Sequence, residues 1–211
     1  MAVLTLADLV AQVADEIGRD GEEQAIRWAI DRTTMRANRL LRTRWMLCRA
    51  SAPVSIAVND GDEYLALGDD FAGMIGARFI DTAGTATDLK FLYHREAAQR
   101  AHASRMGPPC DYALYENQIR LLPRSDRAGT LEIWTYERFG LENDTDTNWL
   151  LKYHQDVYVN GATYHVKRRL QYPLSEIKDY ESAFLSGISE IRASNAFDQA
   201  GGATGEGPDY F

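Results

Sequence analysis

Cysteine, lysine and long apolar runs are all scarce in this 211-residue chain, and each scarcity removes a class of reading. The two cysteines, Cys48 and Cys110, match no metal-ligand spacing and no disulfide framework. They read as reduced, incidental thiols, and a redox role has no support. No stretch approaches the roughly 18 consecutive apolar residues that a membrane-spanning helix needs, so no membrane partner is expected. The first ten residues include Asp8 and no basic leading group, so the chain does not begin as a signal peptide does. Lysines number 4 against 19 arginines, which with abundant alanine points to a GC-rich gene.

Catalytic and metal-binding patterns are missing as well. Walker loops, dinucleotide fingerprints and serine nucleophile elbows do not occur. Asp144-x-Asp146-x-Asn148 imitates the start of a calcium loop, but Trp149 stands where that loop needs glycine and Gln155 where it needs glutamate. A loop that caps the next helix through Asn148 accounts for the same residues. The four histidines are His94, His102, His154 and His165. His154 and His165 lie on one expected helix about three turns apart, too far to share a metal. Asp60, Asp62, Glu63, Asp69 and Asp70 gather where turns are expected, with no lysine placed among them. No catalytic residue, metal ligand or cofactor is expected, and the chain does not read as an enzyme.

What is present is an uneven charge. The chain carries 23 basic and 31 acidic residues, a net charge of −8, which argues against wrapping nucleic acid as a primary activity. Yet seven arginines (27, 32, 36, 39, 42, 44 and 49) stand between Arg27 and Arg49 against Asp31 alone, while residues 1–24 hold six acids and one arginine. One reading is two adjacent helices with complementary faces joined by ion pairs. The other is a basic surface that meets an acidic partner.

Periodicity divides the chain. Thr5 with Asp8 makes a capping pattern before Leu6, Leu9, Val10, Val13 and Ile17, and Gly18 to Gly21 ends that helix. Asp20 with Glu23 repeats the pattern before a second helix whose inner face is Ile26, Ile30, Thr33, Ala37, Leu40, Leu41 and Arg44. From Trp45 the period changes to two. Val54–Val58 and Tyr64–Leu67 flank Asn59-Asp-Gly-Asp62 as an expected hairpin, followed by strands at Met74–Asp81 and Asp88–Tyr93. His94–Ser104 reads as a short polar helix, and strands return at Tyr112–Tyr115, Gln118–Leu122 and Thr130–Tyr136. Asn148 then caps a helix over 149–170 with Tyr153, Val157, Gly161, Ala162, Tyr164 and Val166 inward. Lys167, Arg168 and Arg169 close it, where the macrodipole favours cations. Ser175 caps the last helix, whose Ile177, Tyr180, Phe184, Ile188 and Ile191 trace one face.

The expected class is α+β: an antiparallel helical bundle formed by N- and C-terminal helices, with an inserted small antiparallel β-module and a flexible C-terminal tail. The divisions fall at 1–44 for the N-terminal helices, 45–147 for the β-rich insert, 148–194 for the C-terminal helix pair and 195–211 for the tail. The tail is rich in glycine and small residues but finishes Pro208-Asp-Tyr-Phe211. Ordering its backbone costs about 1–2 kcal/mol per residue, while burying Tyr210 and Phe211 returns about 1.5–3 kcal/mol each. One tail alone therefore binds weakly.

Element for element this order resembles the head-to-tail adaptor, or connector, family of tailed bacteriophages and phage-derived gene transfer agents. The resemblance is carried by the Leu67-Gly-Asp-Asp-Phe71 turn, the Gly107-Pro-Pro-Cys-Asp-Tyr112 lead-in, the Leu121-Leu-Pro123 strand end, Asn148-Trp-Leu-Leu151 and the closing helices with their tail. It departs at Gly68, where the family's turn usually bears proline. The resemblance implies a structural protein of the virion neck, assembled in the bacterial host cytoplasm as a twelve-subunit ring that joins portal to tail and surrounds the DNA channel. The helices would face the portal and the β-module a tail-side stopper or nozzle protein. DNA would pass without sequence-specific binding through a lumen whose acidity repels phosphate. By position, Phe197, Pro208, Tyr210 and Phe211 would anchor the tail on the portal, and many such tails around a ring would gain avidity. Arg32, Arg36 and Arg39 are candidates for contact with the portal or the adjacent subunit. The rival expectation is a non-enzymatic scaffolding or regulatory protein that binds one partner through its last helix and tail.

Overall fold

The computed structural model describes residues 4–19, 21–43, 46, 53–101 and 106–199. Two helices come first, α1 (Leu6–Ile17) and α2 (Glu23–Leu40). Strands β1 (Val54–Val58), β2 (Tyr64–Ala66), β3 (Phe71–Asp81) and β4 (Ala86–Phe91) precede α3 (His94–Ala101). Then follow β5 (Met106–Gly107), β6 (Asp111–Tyr115), β7 (Gln118–Leu122), β8 (Arg124–Ser125) and β9 (Gly129–Glu137). The chain returns to helix in α4 (Trp149–Tyr153), α5 (Gln155–Arg169) and α6 (Leu174–Gln199). It divides into two compact units, residues 1–45 with 139–211, and residues 46–138.

In the helical unit the expected cap of α1 is present. The Thr5 amide and hydroxyl donate to the Asp8 carboxylate at 2.9 and 2.8 Å, and Leu6, Leu9, Val10, Val13 and Ile17 are buried. Two more amides of its first turn, which no helical carbonyl can reach, donate to the Asp146 and Asp144 carbonyls at 2.9 and 3.1 Å. The loop that imitates a calcium site is thus spent on structure. The Asp146 carboxylate accepts the Glu142 and Asn143 amides, Asp144 pairs with Arg27 at 2.6 Å, and Asn148 accepts the Leu151 amide as the cap of α4. Residues 139–147, read from sequence as the end of the insert, are held by the helices: the Asn38 side chain donates to the Phe139 carbonyl and accepts its amide.

Three local expectations are corrected. Helix α2 starts from Glu22 with no side-chain cap, Asp20 lies outside the described residues, and Glu23 pairs with Arg27 at 2.8 Å instead. The single helix expected over 149–170 breaks at His154, whose φ of −141° and ψ of 52° are not helical. That break turns Tyr153 outward, 51 % exposed, while Val157, Gly161, Ala162, Tyr164 and Val166 are buried as expected. Ser175 lies inside α6, which begins at Leu174. Ile177, Phe184, Ile188 and Ile191 of α6 are buried, and Tyr180 is half-buried.

Helix α5 is the hub of this unit, packing against α1, α2, α4 and α6. Its approach is close enough to require glycine. A Cβ at Gly161 would lie 2.5 Å from Thr33 Cγ2 of α2 and 2.8 Å from Phe184 Cδ2 of α6. A Cβ at Gly187 of α6 would lie 2.6 Å from Val157 Cγ2 of α5. Buried Tyr158 adds directional contacts, its hydroxyl 3.1 Å from Thr34 Oγ1 and accepting from Asn148 Nδ2 at 2.9 Å. Among the described residues no ion pair joins α1 to α2. The acids of α1 serve other purposes, Asp8 in the cap and Glu16 as acceptor of the Tyr180 hydroxyl at 2.7 Å.

The second unit is an antiparallel-rich sheet of seven strands in the order β1-β9-β3-β4-β6-β7-β2, with one parallel junction, β4 to β6. The expected hairpin of β1 and β2 does not form. Val54 to Val58 pairs with β9, and Tyr64 to Ala66 pairs with β7. The Asn59-Asp62 turn is present, but its ladder positions go to β8: the Gly61 amide donates to the Ser125 carbonyl and the Ser125 amide to the Asp62 carbonyl. β1 and β2 therefore form the two edges of the sheet while only a five-residue turn separates them. A flat seven-stranded sheet would hold its edges about 29 Å apart, whereas that turn reaches at most about 20 Å. The sheet must curl toward closure. Its interior is one core containing Val58, Leu65, Phe79, Ile119, Leu121, Leu131 and Ile133. On the outer side α3 rests on β6 and β7 through a smaller cluster of Ala97, Leu92, Ala113 and Leu122. The departing turn at Gly68 closes with the Phe71 amide donating to the Gly68 carbonyl.

Gly161→Ala is expected to lower the unfolding free energy by about 1–3 kcal/mol, since its methyl group overpacks a junction of three helices. Urea denaturation followed by circular dichroism measures this. An unchanged midpoint would contradict the close approach.

Candidate partner-binding surface

The spacing of α2 places Trp28, Arg32, Arg36 and Arg39 along one side, while Ile26, Ile30, Thr33 and Ala37 turn inward. The last turn of α5 brings His165, Arg168 and Arg169 beside the first two of these. Together Trp28, Arg32, His165, Arg168 and Arg169 line an open cleft of about 470 Å³. The Trp28 ring is its organising element. The Arg32 guanidinium lies 5.3 Å and the Arg169 guanidinium 5.0 Å from the indole centroid, and the His165 ring meets the indole edge-on at 6.3 Å. Arg168 is held by donating to the Tyr164 hydroxyl at 2.8 Å.

The three guanidiniums of the cleft have no carboxylate within ion-pair distance among the described residues. Arg36 differs: it pairs with Glu181 of α6 at 3.0 Å and lies over the Phe184 and Tyr164 rings at 5.2 and 5.7 Å. Its charge is engaged inside the unit. Arg39 is exposed, with no ion pair among the described residues. Lys167, next to the cleft in sequence, is buried, its ammonium 4.4 Å from the Tyr180 centroid. Of the expected tail anchors, Phe197 falls within the span of α6 and its side chain lies outside the described residues, as do Pro208, Tyr210 and Phe211.

Burial, and after it the positive charges of Arg36, Arg168 and Arg32, hold the His165 pKa down at about 4. The imidazole is neutral at pH 7 and sits beside Arg32 and Arg168, which have no carboxylate partner among the described residues, and Arg36, which has Glu181. Trp28, His165, Arg168 and Arg169 escaped the sequence reading as a site. Arg168 and Arg169 were visible only as cations at a helix end, and no sequence signal showed that this end lies against the first turns of α2.

An indole, a neutral imidazole and three guanidiniums with no carboxylate partner among the described residues can hold an anionic group. The family model of the SU10 adaptor protein matches residues 4–206, and the chain belongs to that family, one of phage head-to-tail adaptors. The adaptor resemblance is therefore shown at the level of the family. No curated protein matches the chain.

The low pKa of His165 has a pH consequence. In the unfolded chain a histidine takes its proton near 6.5, while the folded site resists until about 4. The unfolded state therefore binds more protons between those values, so this stabilisation is complete above 6.5 and is lost as pH falls toward 4. His165→Gln is expected to flatten that part of the stability profile in denaturant titrations at stepped pH. Parallel profiles for the two proteins would contradict the assignment.

Proposed function

We propose that the protein is a ring subunit of the neck of a phage-like particle, twelve copies joining the portal to the tail around the path of the DNA. The observation that carries this reading is the adaptor match over residues 4–206, which takes in the helical unit, the curled sheet and α6 together. The work of such a subunit is assembly, without catalysis. Its partners are the portal on the head side and a stopper or nozzle protein on the tail side. Its place is the virion neck, after assembly in the bacterial host cytoplasm. The net charge of −8 suits a ring through which DNA moves without being held.

Two surfaces are assigned to assembly. The portal anchors are Phe197, within the span of α6, and Pro208, Tyr210 and Phe211 in the tail beyond Gln199, which docks on the portal. Arg32 and Arg39, exposed on α2, meet the portal or the adjacent subunit, whereas Arg36 supports that face from within by holding α6. Charged contacts at a rim weaken with salt, so Arg39→Glu lowers attachment most at low ionic strength.

Co-sedimentation with purified portal rings tests the reading, comparing the full chain with one stopped after Gln199, which keeps α6 intact. The expected result is co-sedimentation of the full chain and at least tenfold weaker binding of the shortened one. Equal binding of both would remove the tail as the anchor. No binding of either would favour the single-partner scaffold.

A further inference from the structure

We propose that the cleft between α2 and α5 is a receptor for an acidic protein segment, whose carboxylates are taken by Arg32, Arg168 and Arg169. This deepens the assembly role given to Arg32 and rests on that reading, but it concerns a site that neither the family match nor the sequence pattern assigns. Three observations carry it. First, the three guanidiniums converge on one hollow and none has a carboxylate partner among the described residues, on a chain where acids outnumber bases 31 to 23. Arg27, Arg36, Arg78 and Arg120 are answered by carboxylates. Other arginines, Arg39 among them, have no ion pair among the described residues either, and what sets these three apart is that they converge on one hollow.

Second, the cations are held in place before any ligand arrives. Arg32 and Arg169 stack against Trp28, and Arg168 is fixed on the Tyr164 hydroxyl. A guanidinium so fixed loses less freedom on forming a two-pronged bond to a carboxylate, and it sheds water more readily than an ammonium. Third, the surroundings decide between oxyanions. Duplex DNA presents a charge every ~1.7 Å of its axis and is held by an extended track of cations. Here the cations fill one hollow of about 470 Å³, of the size that takes a small ligand or a few side chains. The rest of an acidic chain repels a polyanion as long as DNA but not a short segment that enters the hollow.

The charged and titratable groups that line the cleft are Arg32 from α2 and His165, Arg168 and Arg169 from α5, and Arg36 of α2 and Glu181 of α6 act on His165 from beside it. Glu181 is already bound to Arg36 and leaves the other three arginines free for a ligand.

The experiment titrates full-length protein, without portal, with capped hexaglutamate, hexaglutamine and a single-stranded oligothymidylate of equal charge. Arginine Nε and His165 ring resonances are followed by NMR. The expected result is saturable shifts at Arg32, Arg168, Arg169 and His165 with hexaglutamate alone. They weaken at least tenfold in Arg168→Gln/Arg169→Gln and in Arg32→Gln, and are unchanged in Arg19→Gln, whose guanidinium lies over Tyr172 instead. Binding of the oligonucleotide as tight as that of the peptide would make this a phosphate site and overturn the proposal. Absence of shifts at millimolar peptide would overturn it as well. Because the chain is tested alone, failure to form a ring on the portal leaves these outcomes unaffected, and failure here leaves the ring reading standing.

Discussion

The helical unit depends on one close approach. At Gly161 the backbone of α5 comes so near Thr33 of α2 and Phe184 of α6 that a single methyl group has no room. Gly187 makes the reciprocal allowance on α6 for Val157 of α5. With α5 seated at that depth, Tyr158 reaches both Thr34 and Asn148, and so ties α2 to the cap of α4. The same seating brings the last turn of α5 beside Trp28 and Arg32. The cationic cleft is a consequence of that packing, and its geometry is as firm as the junction beneath it.

The curled sheet has a different logic. A seven-stranded order whose two edge strands are consecutive in sequence leaves the sheet only one way to lie, wrapped around Phe79, Leu121 and Leu131. The paired edges of β5 and β8 and the contacts of Ser125 to the turn after β1 fill the gap where the edges approach. Gly129 marks a close approach, since a Cβ there would run into the Ile80 carbonyl and the Phe79 ring.

Much of this was legible where the signal is local. The Thr5 and Asn148 caps, the inner face of α1, Ile26, Ile30, Thr33 and Ala37 of α2, and the buried Ile177, Phe184, Ile188 and Ile191 of α6 all follow from side-chain spacing along one helix, whereas Leu40 is half-buried, Leu41 lies past the end of α2 and Arg44 is outside the described residues. What was not legible depends on contacts distant in sequence. The Asn59–Asp62 turn is legible as a turn, but the partners of the strands beside it are set by Ser125 and by strands more than 50 residues away. The break at His154 interrupts an apolar pattern that looks continuous in the sequence, and it leaves Tyr153 exposed. Likewise the arginine-rich stretch promised ion pairs with α1. Arg27 and Arg36 instead found Asp144 and Glu181, more than a hundred residues on. The cleft needed both α2 and the end of α5, and neither stretch alone reads as a site.

A glycine-seated helical core that presents cations, a curled sheet and membership over residues 4–206 in an adaptor family fit the proposed assembly subunit, and that role rests on the ring. Light scattering on a sizing column, applied to full-length protein mixed in excess with its portal ring, measures the number of copies bound directly. A complex of one portal ring with twelve copies of this chain is expected. A complex holding one or two copies, or none, would contradict it.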